Sequence, residues 1–309
     1  MSKSTLRGAF TQTLLEIAKT NQNICALATD SRGSVTLGDF AKELPGQFVE
    51  CGIAEQDAVG IGAGLANAGL RPFVCGPACF FSMRSAEQVK VDVAYSHMNV
   101  KIIGVSGGVS YGALGSTHHS TQDIALMRAL PGLEVYIPSD AMQMKKLTAY
   151  LAASNEPAFV RVGRGAVEDI YDESADFTPG KAVRLKNGAD AAIIACGETV
   201  VQAVHAADLL QERGICASVY DMFTIKPLDT EAILEAAQTG MVFTVEEHSP
   251  YGGLGGAVSE YLSQNRPTRM KILSLPDEKI YTGTSAQVFE HYGLDAKGIA
   301  ATVAEVLGK

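Results

Sequence analysis

The stretch CGIAEQDAVGIGAGLANAG, residues 51–69, carries one carboxylate, Glu55, at the head of a run that is small and apolar. Gln56 and Asp57 follow it, and then no charge occurs from Ala58 to Gly69. A helix that faces solvent shows polar residues every three or four positions. The spacing therefore predicts a helix over 54–68 that is buried on all sides. Its Ala and Gly residues let other backbones come close. A carboxylate that enters such a place has to be paired, hydrogen-bonded or used in chemistry.

Short β-rich runs and helical patterns alternate on both sides of this segment. Strands are predicted at 24–30, 47–52, 71–76, 100–106, 133–139 and 157–163, and helices at 5–20, 83–97, 121–130 and 140–153. Continuous apolar strands that alternate with helices imply a parallel sheet covered on both faces. Residues 166–189 are richer in acidic residues, Pro and Gly and read as a linker. The alternation then resumes, with strands at 191–196, 217–221, 241–246 and 270–275 and helices at 198–213, 229–238, 253–264 and 296–307. The fold class is α/β, two doubly wound domains over 1–165 and 190–309. A length of 309 residues suits two domains.

The bulk composition narrows the partners. A net charge of −9 argues against nucleic acid or an anionic membrane as the main partner. It leaves room for small phosphorylated molecules, which a few arginines can hold. No apolar run approaches the ~20 residues of a membrane span, and MSKSTLRGAF lacks the apolar core of a secretion signal. The six cysteines lie mostly in apolar runs and read as reduced thiols of a cytoplasmic protein.

Several motifs could carry chemistry. Gly60, Gly62 and Gly64 fail the dinucleotide spacing, because Leu65 stands where Gly or Ala is needed. They read as close helix packing. YGGLGGAVSEYL (251–262) has the form of a loop and a helix start, which can present N–H groups to an anion, although a tight turn explains it as well. GALGSTHHSTQD (112–123) places His118 and His119 in a small-residue loop after a strand. Ligands of doubly wound sheets bind at the carboxyl ends of strands. Arg164 follows another strand and could fork onto a phosphate or join a surface ion pair. Glu246, Glu247 and His248 follow a third, as a site or as a domain-interface network. No Gly-Asp-Gly with a downstream Asn is present to hold a diphosphate and its metal.

In this order the motifs resemble the thiamine-diphosphate transketolase family, including the deoxyxylulose-phosphate synthases. ECGIAEQDAVGIGAGLA resembles the pyrimidine-domain motif, GSTHHSTQDIALMRALPGLEVYIPSD the substrate loop, and EEHSPYGGLGGAVSE the start of the C-terminal domain. The resemblance covers nearly the whole chain but lacks the domain that grips the diphosphate. It implies the C-terminal subunit of a split transketolase. A separate N-terminal chain would then supply the diphosphate loop and the Mg2+, in an assembly of two copies of each chain.

The resemblance also implies roles. Glu55 matches the glutamate that contacts N1′ of the aminopyrimidine and promotes loss of the thiazolium C2 proton. A dry pocket lets such a carboxyl share a proton with a weakly basic ring nitrogen. Phe80 matches the aromatic that stacks on the pyrimidine, with Phe81 beside it. His118 matches the histidine that contacts substrate, His119 stands where many relatives have Gln, Arg164 matches the phosphate arginine, and Ser34 a phosphate-contacting serine. Three positions depart from the pattern. Leu114 stands in place of an Asp that reads a substrate hydroxyl, Ser106 in place of a phosphate-side His, and Asp57 in place of a His. These departures point to a specialised ketose phosphate, branched or otherwise modified. The alternatives are a decarboxylating enzyme of the same cofactor class, which would release CO2 from pyruvate, and a non-catalytic subunit. Intact Glu55, Phe80 and His118 argue against the latter.

Overall fold

A computed structural model describes residues 3–309. The strands Ile24–Ala28 and Lys101–Val105 are buried along their whole length. Successive side chains point to opposite faces, so both faces of this sheet are covered. One face receives the helices Leu6–Thr20 and Ala141–Ala153 through Phe10, Leu14, Met144 and Leu147 against Ala26, Phe73 and Ile103. The other receives Glu55–Asn67 and its neighbours through Ala58, Val59, Val89 and Val93 against Leu27, Val74 and Ile102. Each fully buried Leu or Phe there contributes roughly 1.5–3 kcal/mol.

The first sheet runs in the spatial order Thr224–Lys226, Glu134–Tyr136, Ala158–Val162, Lys101–Val105, Arg71–Pro77, Ile24–Ala28, Phe48–Glu50. All pairings are parallel except the first. That antiparallel edge strand comes from the second half of the chain, which is thereby stitched to the first. The second sheet has the order Arg269–Leu273, Met241–Val245, Ala191–Ala195, Ala217–Asp221, Val183–Lys186, antiparallel only at the last pair.

The structure departs from the sequence expectations in four places. The segment 166–189 is not simply a linker. Ala166–Glu168 pairs with Lys3–Thr5, and Val183–Lys186 closes the second sheet. The predicted helix 83–97 is broken into Ala86–Gln88 and a π-helical run, Val89–Tyr95, and a separate helix, Ala78–Met83, precedes it. Ser285–Tyr292 is a further helix, started by a Thr284/Gln287 capping box. The helix Glu55–Asn67 is buried on one face only. Gly62 packs so closely that a Cβ there would lie 2.7 Å from Val74, whereas Gly60 and Gly64 have nothing within 4 Å. Its outer face carries exposed Ile61, Ile53 just before it is exposed, and the neighbouring helical runs Ala78–Met83 and Val89–Tyr95 carry exposed Met83, Val91 and Tyr95. The small residues expected to pack inward thus also line an uncovered apolar surface.

The two halves meet at a buried cluster of charge. Arg161, at 5 % exposure in the Ala158–Val162 strand, donates to the Glu247 carbonyl at 2.6 Å and to its carboxylate at 3.2 Å. Its Nε lies 3.6 Å from Asp123. Glu198 is also buried in the cluster, and its Oε1 has no hydrogen-bond partner among the described residues. Glycines make the room: a Cβ at Gly107 would strike Arg161, one at Gly108 would strike Glu247, and one at Gly163 would strike Glu198. Burial pushes the carboxyls of Glu198 and Glu247 above the ordinary range, and Arg161 offsets only part of that.

Two outcomes follow. Arg161→Met leaves buried carboxylates uncompensated and should cost about 3–5 kcal/mol, read as a fall in the denaturant midpoint. The raised carboxyls keep protons in the folded state that the unfolded chain has released. Stability should therefore fall as pH rises from about 4.3, the ordinary glutamate value, up through the raised folded values. Glu198→Gln should flatten that slope, and an unchanged slope in this variant would show that the proton sits elsewhere.

Candidate active site

The carboxyl ends of the parallel strands lie along one end of the first sheet, and most of the candidate residues follow them. Glu55 opens its helix a few residues after Phe48–Glu50, where an acidic side chain suits the positive end of the helix dipole. It is 2 % exposed. Arg84 donates to its Oε2 at 2.7 Å, and Oε1 has no hydrogen-bond partner among the described residues. The same guanidinium lies 4.3 Å from the centroid of the Phe80 ring. Arg84 thus ties the carboxylate to the aromatic candidate.

A continuous line leads on from Phe80. Its ring meets His118 edge-on at 5.3 Å, and His118 meets Tyr111 at 5.0 Å. His118 Nδ1 lies 2.9 Å from Thr117 Oγ1, while Nε2 has no partner among the described residues. The Arg164 guanidinium carbon lies 4.9 Å from the Tyr111 ring centroid, and the Tyr111 hydroxyl reaches Ser34 Oγ at 3.4 Å. Arg164 also faces Ser106 Oγ at 3.5 Å. Ser106 holds φ +60°, a left-handed conformation that non-glycine residues adopt at a cost, at the end of its strand. Arg7 donates to the Ser34 carbonyl at 2.6 Å. Burial lowers its pKa, and the nearby positive charge of Arg164 lowers it further. Two guanidiniums thus stand near enough to repel each other, which an anion between them would relieve.

The structure therefore brings together Glu55, Phe80, His118, Arg164 and Ser34. It does not bring Phe81 or His119 to the same surface. Phe81 is wholly enclosed in the core beneath Gly76, whose Cβ would lie 2.6 Å from the ring, so it offers no face to a ligand. His119 is buried, with Nε2 3.4 Å from the Gly112 carbonyl, and braces its own loop. Burial lowers its pKa, the Gly112 contact opposes this and His118 reinforces it. Leu114 is exposed and apolar. Arg84, Tyr111 and Arg7 were not anticipated. A signal for the first existed, since a buried carboxylate demands a cation, but its place in the chain did not.

The helix start at 254 accepts no outside anion. Glu246 fills it, with its two oxygens accepting from Leu254 N at 2.7 Å and Gly255 N at 2.8 Å. Glu247 and His248 belong to the junction between the halves. Glu247 accepts from Val109 N at 2.7 Å, and His248 Nε2 accepts from Ala125 N at 3.3 Å. The loop of His118 is thus held from the second half of the chain.

Comparison with known proteins gives the family. Residues 2–169 match the transketolase pyrimidine-binding domain, and residues 180–299 match the transketolase C-terminal domain. The chain is 58 % identical over 305 residues to a subunit of an apulose-4-phosphate transketolase of Phocaeicola vulgatus, covering 98 % of this chain and 97 % of that one. It is 36 % identical over 302 residues to a 6-deoxy-6-sulfo-D-fructose transketolase subunit of a Clostridium species, covering 97 % and 94 %. A solved split-gene transketolase, described as an inactive beta4 tetramer, superposes with a TM-score of 0.90 at 35 % identity, covering 98 % of each chain. The chain belongs to the transketolase family, as the C-terminal subunit of a split enzyme.

Arg84→Gln should remove the one cation that meets Glu55 and cost about 1–3 kcal/mol of stability. Adding Glu55→Gln should restore most of that loss, because the stranded charge is gone. Additive losses in thermal or denaturant unfolding would show that the pair is not coupled.

Proposed function

We propose that this chain is the C-terminal subunit of a transketolase that takes a two-carbon ketol unit from a branched ketose phosphate of the apulose 4-phosphate kind. The observation that carries this is the unbroken line of side chains from Glu55, through Phe80, His118 and Tyr111, to Arg164, Ser34 and Arg7. One end suits a proton on a heterocycle and the other a phosphate. The substrate named for the Phocaeicola vulgatus protein, which shares 58 % identity, supports the donor class.

The residues fit the pyrimidine half of thiamine diphosphate. A buried carboxylate with one unpartnered oxygen stands next to a half-buried aromatic ring. When bound, this cofactor supplies the nucleophilic carbon for cleavage beside the ketose carbonyl. Glu55 would hold a proton at N1′ through Oε1, with Arg84 fixing Oε2. Phe80 would lie against the pyrimidine. The free Nε2 of His118 would hydrogen-bond the donor's oxygens. Arg164, Arg7 and the Ser34 hydroxyl would grip the phosphate. Cleavage of a branched 4-phosphate leaves a three-carbon ketone phosphate, while the ketol unit passes to an aldose acceptor.

The partner is an N-terminal chain that grips the diphosphate and Mg2+. The uncovered apolar face around Ile53, Ile61, Met83, Val91 and Tyr95 supports pairing of two copies of this chain within an assembly of two of each. The self-association named for the split-gene relative supports it too. Six unpaired cysteines, four of them buried, support a cytoplasmic setting. Among the described residues no helix is long and apolar enough to cross a membrane.

The test is reconstitution with the N-terminal chain. Apulose 4-phosphate and an aldose phosphate should give a ketose phosphate two carbons longer. CO2 release from pyruvate without ketol transfer would replace this reading with the decarboxylating one. Glu55→Gln should slow exchange of the cofactor's C2 proton by about 10²–10⁴-fold, the usual worth of a positioned acid–base group. An unchanged exchange rate would remove the role given to Glu55.

A further inference from the structure

We infer that Tyr111 is the specificity-determining residue of this site, setting how far the phosphate of the donor can lie from its carbonyl. The inference rests on the ketol-transfer reading above. Tyr111 is the side chain that touches both ends of the line. Its ring meets His118 at 5.0 Å, its face lies 4.9 Å from the Arg164 guanidinium carbon, and its hydroxyl reaches Ser34 at 3.4 Å. A substrate that spans His118 and the anion-binding arginines must run along this ring.

The ring has little freedom to withdraw. The next residue, Gly112, holds φ +60°, and a Cβ there would lie 3.3 Å from the Gly283 carbonyl. Gly115 holds φ +67°, and a Cβ there would lie 2.8 Å from Thr282 Oγ1. Both neighbours come from the second half of the chain, which backs the loop against retreat. Left-handed backbone at both glycines fixes the turn that presents Tyr111. His119 binds the same loop to Gly112 from inside.

The polar chemistry of this stretch also falls to Tyr111. Leu114 offers no hydrogen bond, and Ser106 is buried and turned to Arg164. The phenol is the remaining donor between His118 and Ser34, and it is bulky. A straight-chain ketose 5-phosphate carries its ester three carbons from the carbonyl. A branched 4-phosphate carries it two carbons away. Because the Tyr111 ring packs against both ends, its bulk bears on how many carbons can lie between carbonyl and ester, and its flat face offers a wall for a branch.

The experiment compares kcat/KM for apulose 4-phosphate and xylulose 5-phosphate in the reconstituted, cofactor-loaded complex. The parent, Tyr111→Phe, Tyr111→Val and Tyr111→Leu are each assayed. The preference for the 4-phosphate should stay within about threefold in Tyr111→Phe, which keeps the ring. It should fall by about tenfold or more in Tyr111→Val and Tyr111→Leu, as expected when a pocket that discriminates one carbon is opened. The change should appear mainly in KM. An unchanged ratio in active Tyr111→Val and Tyr111→Leu complexes overturns the inference. If the parent transfers a ketol unit from neither donor, the ketol-transfer reading fails instead. Calorimetric dissociation constants of the two phosphates on the same loaded complexes then decide the role of Tyr111 by the same ratios.

Discussion

One buried arginine joins the two halves of the chain beneath the candidate site. Arg161 sits in the strand whose end presents Arg164, and it meets Asp123 below the His118 loop and Glu247 from the other half of the chain. Glu247 in turn holds Val109, where that loop begins. One guanidinium therefore links the two halves, the loop that carries His118 and the strand that leads to Arg164. A buried ion pair is often no better for stability than apolar packing. Its value here is geometric, because apolar side chains could slide where these charges cannot.

Much of the fold was legible because the strands are continuous apolar runs and the helices between them keep their period. Ile24–Ala28, Lys101–Val105 and Ala191–Ala195 fall where the pattern places them. Short pieces were not legible. Val183–Lys186 and Thr224–Lys226 carry charged residues at sheet edges and gain their pairing from the tertiary structure alone. The Ser285–Tyr292 helix was within reach, since Thr284 and Gln287 show the capping-box spacing, but no long apolar stripe drew attention to it. The helix Glu55–Asn67 shows the limit of composition. An uncharged helix reads as buried, yet a chain that pairs with another can leave such a face open until it does.

Of the candidate residues, the five that the structure groups together, Glu55, Phe80, His118, Arg164 and Ser34, were visible in the sequence through strand ends and motifs. Arg84, Tyr111 and Arg7 were invisible because their meaning lies in whom they touch. Arg84 is one basic residue in a helical region until it reaches Glu55, and Arg7 is a residue of the first helix until it meets Ser34. Phe80 and Phe81 show the opposite case. They are adjacent and chemically identical, and only the direction of the helix Ala78–Met83 sends one to the site and the other into the core.

The division of labour within the chain follows from these contacts. The first half supplies every side chain of the proposed line from Glu55 to Arg7. The second half supplies none of that line, yet it fixes the line at several points: Glu247 on Val109, Ser249 on Thr121, His248 on Ala125, and Thr282 and Gly283 against the turn after Tyr111. A glycine-rich loop that carried His118 and Tyr111 without such backing would sample many positions, and the separation between proton-holding and phosphate-gripping ends would vary with it. The proposed selectivity between donors of different length would require that separation to stay constant. On the proposed reading, the C-terminal domain is the part of the chain that holds this separation fixed.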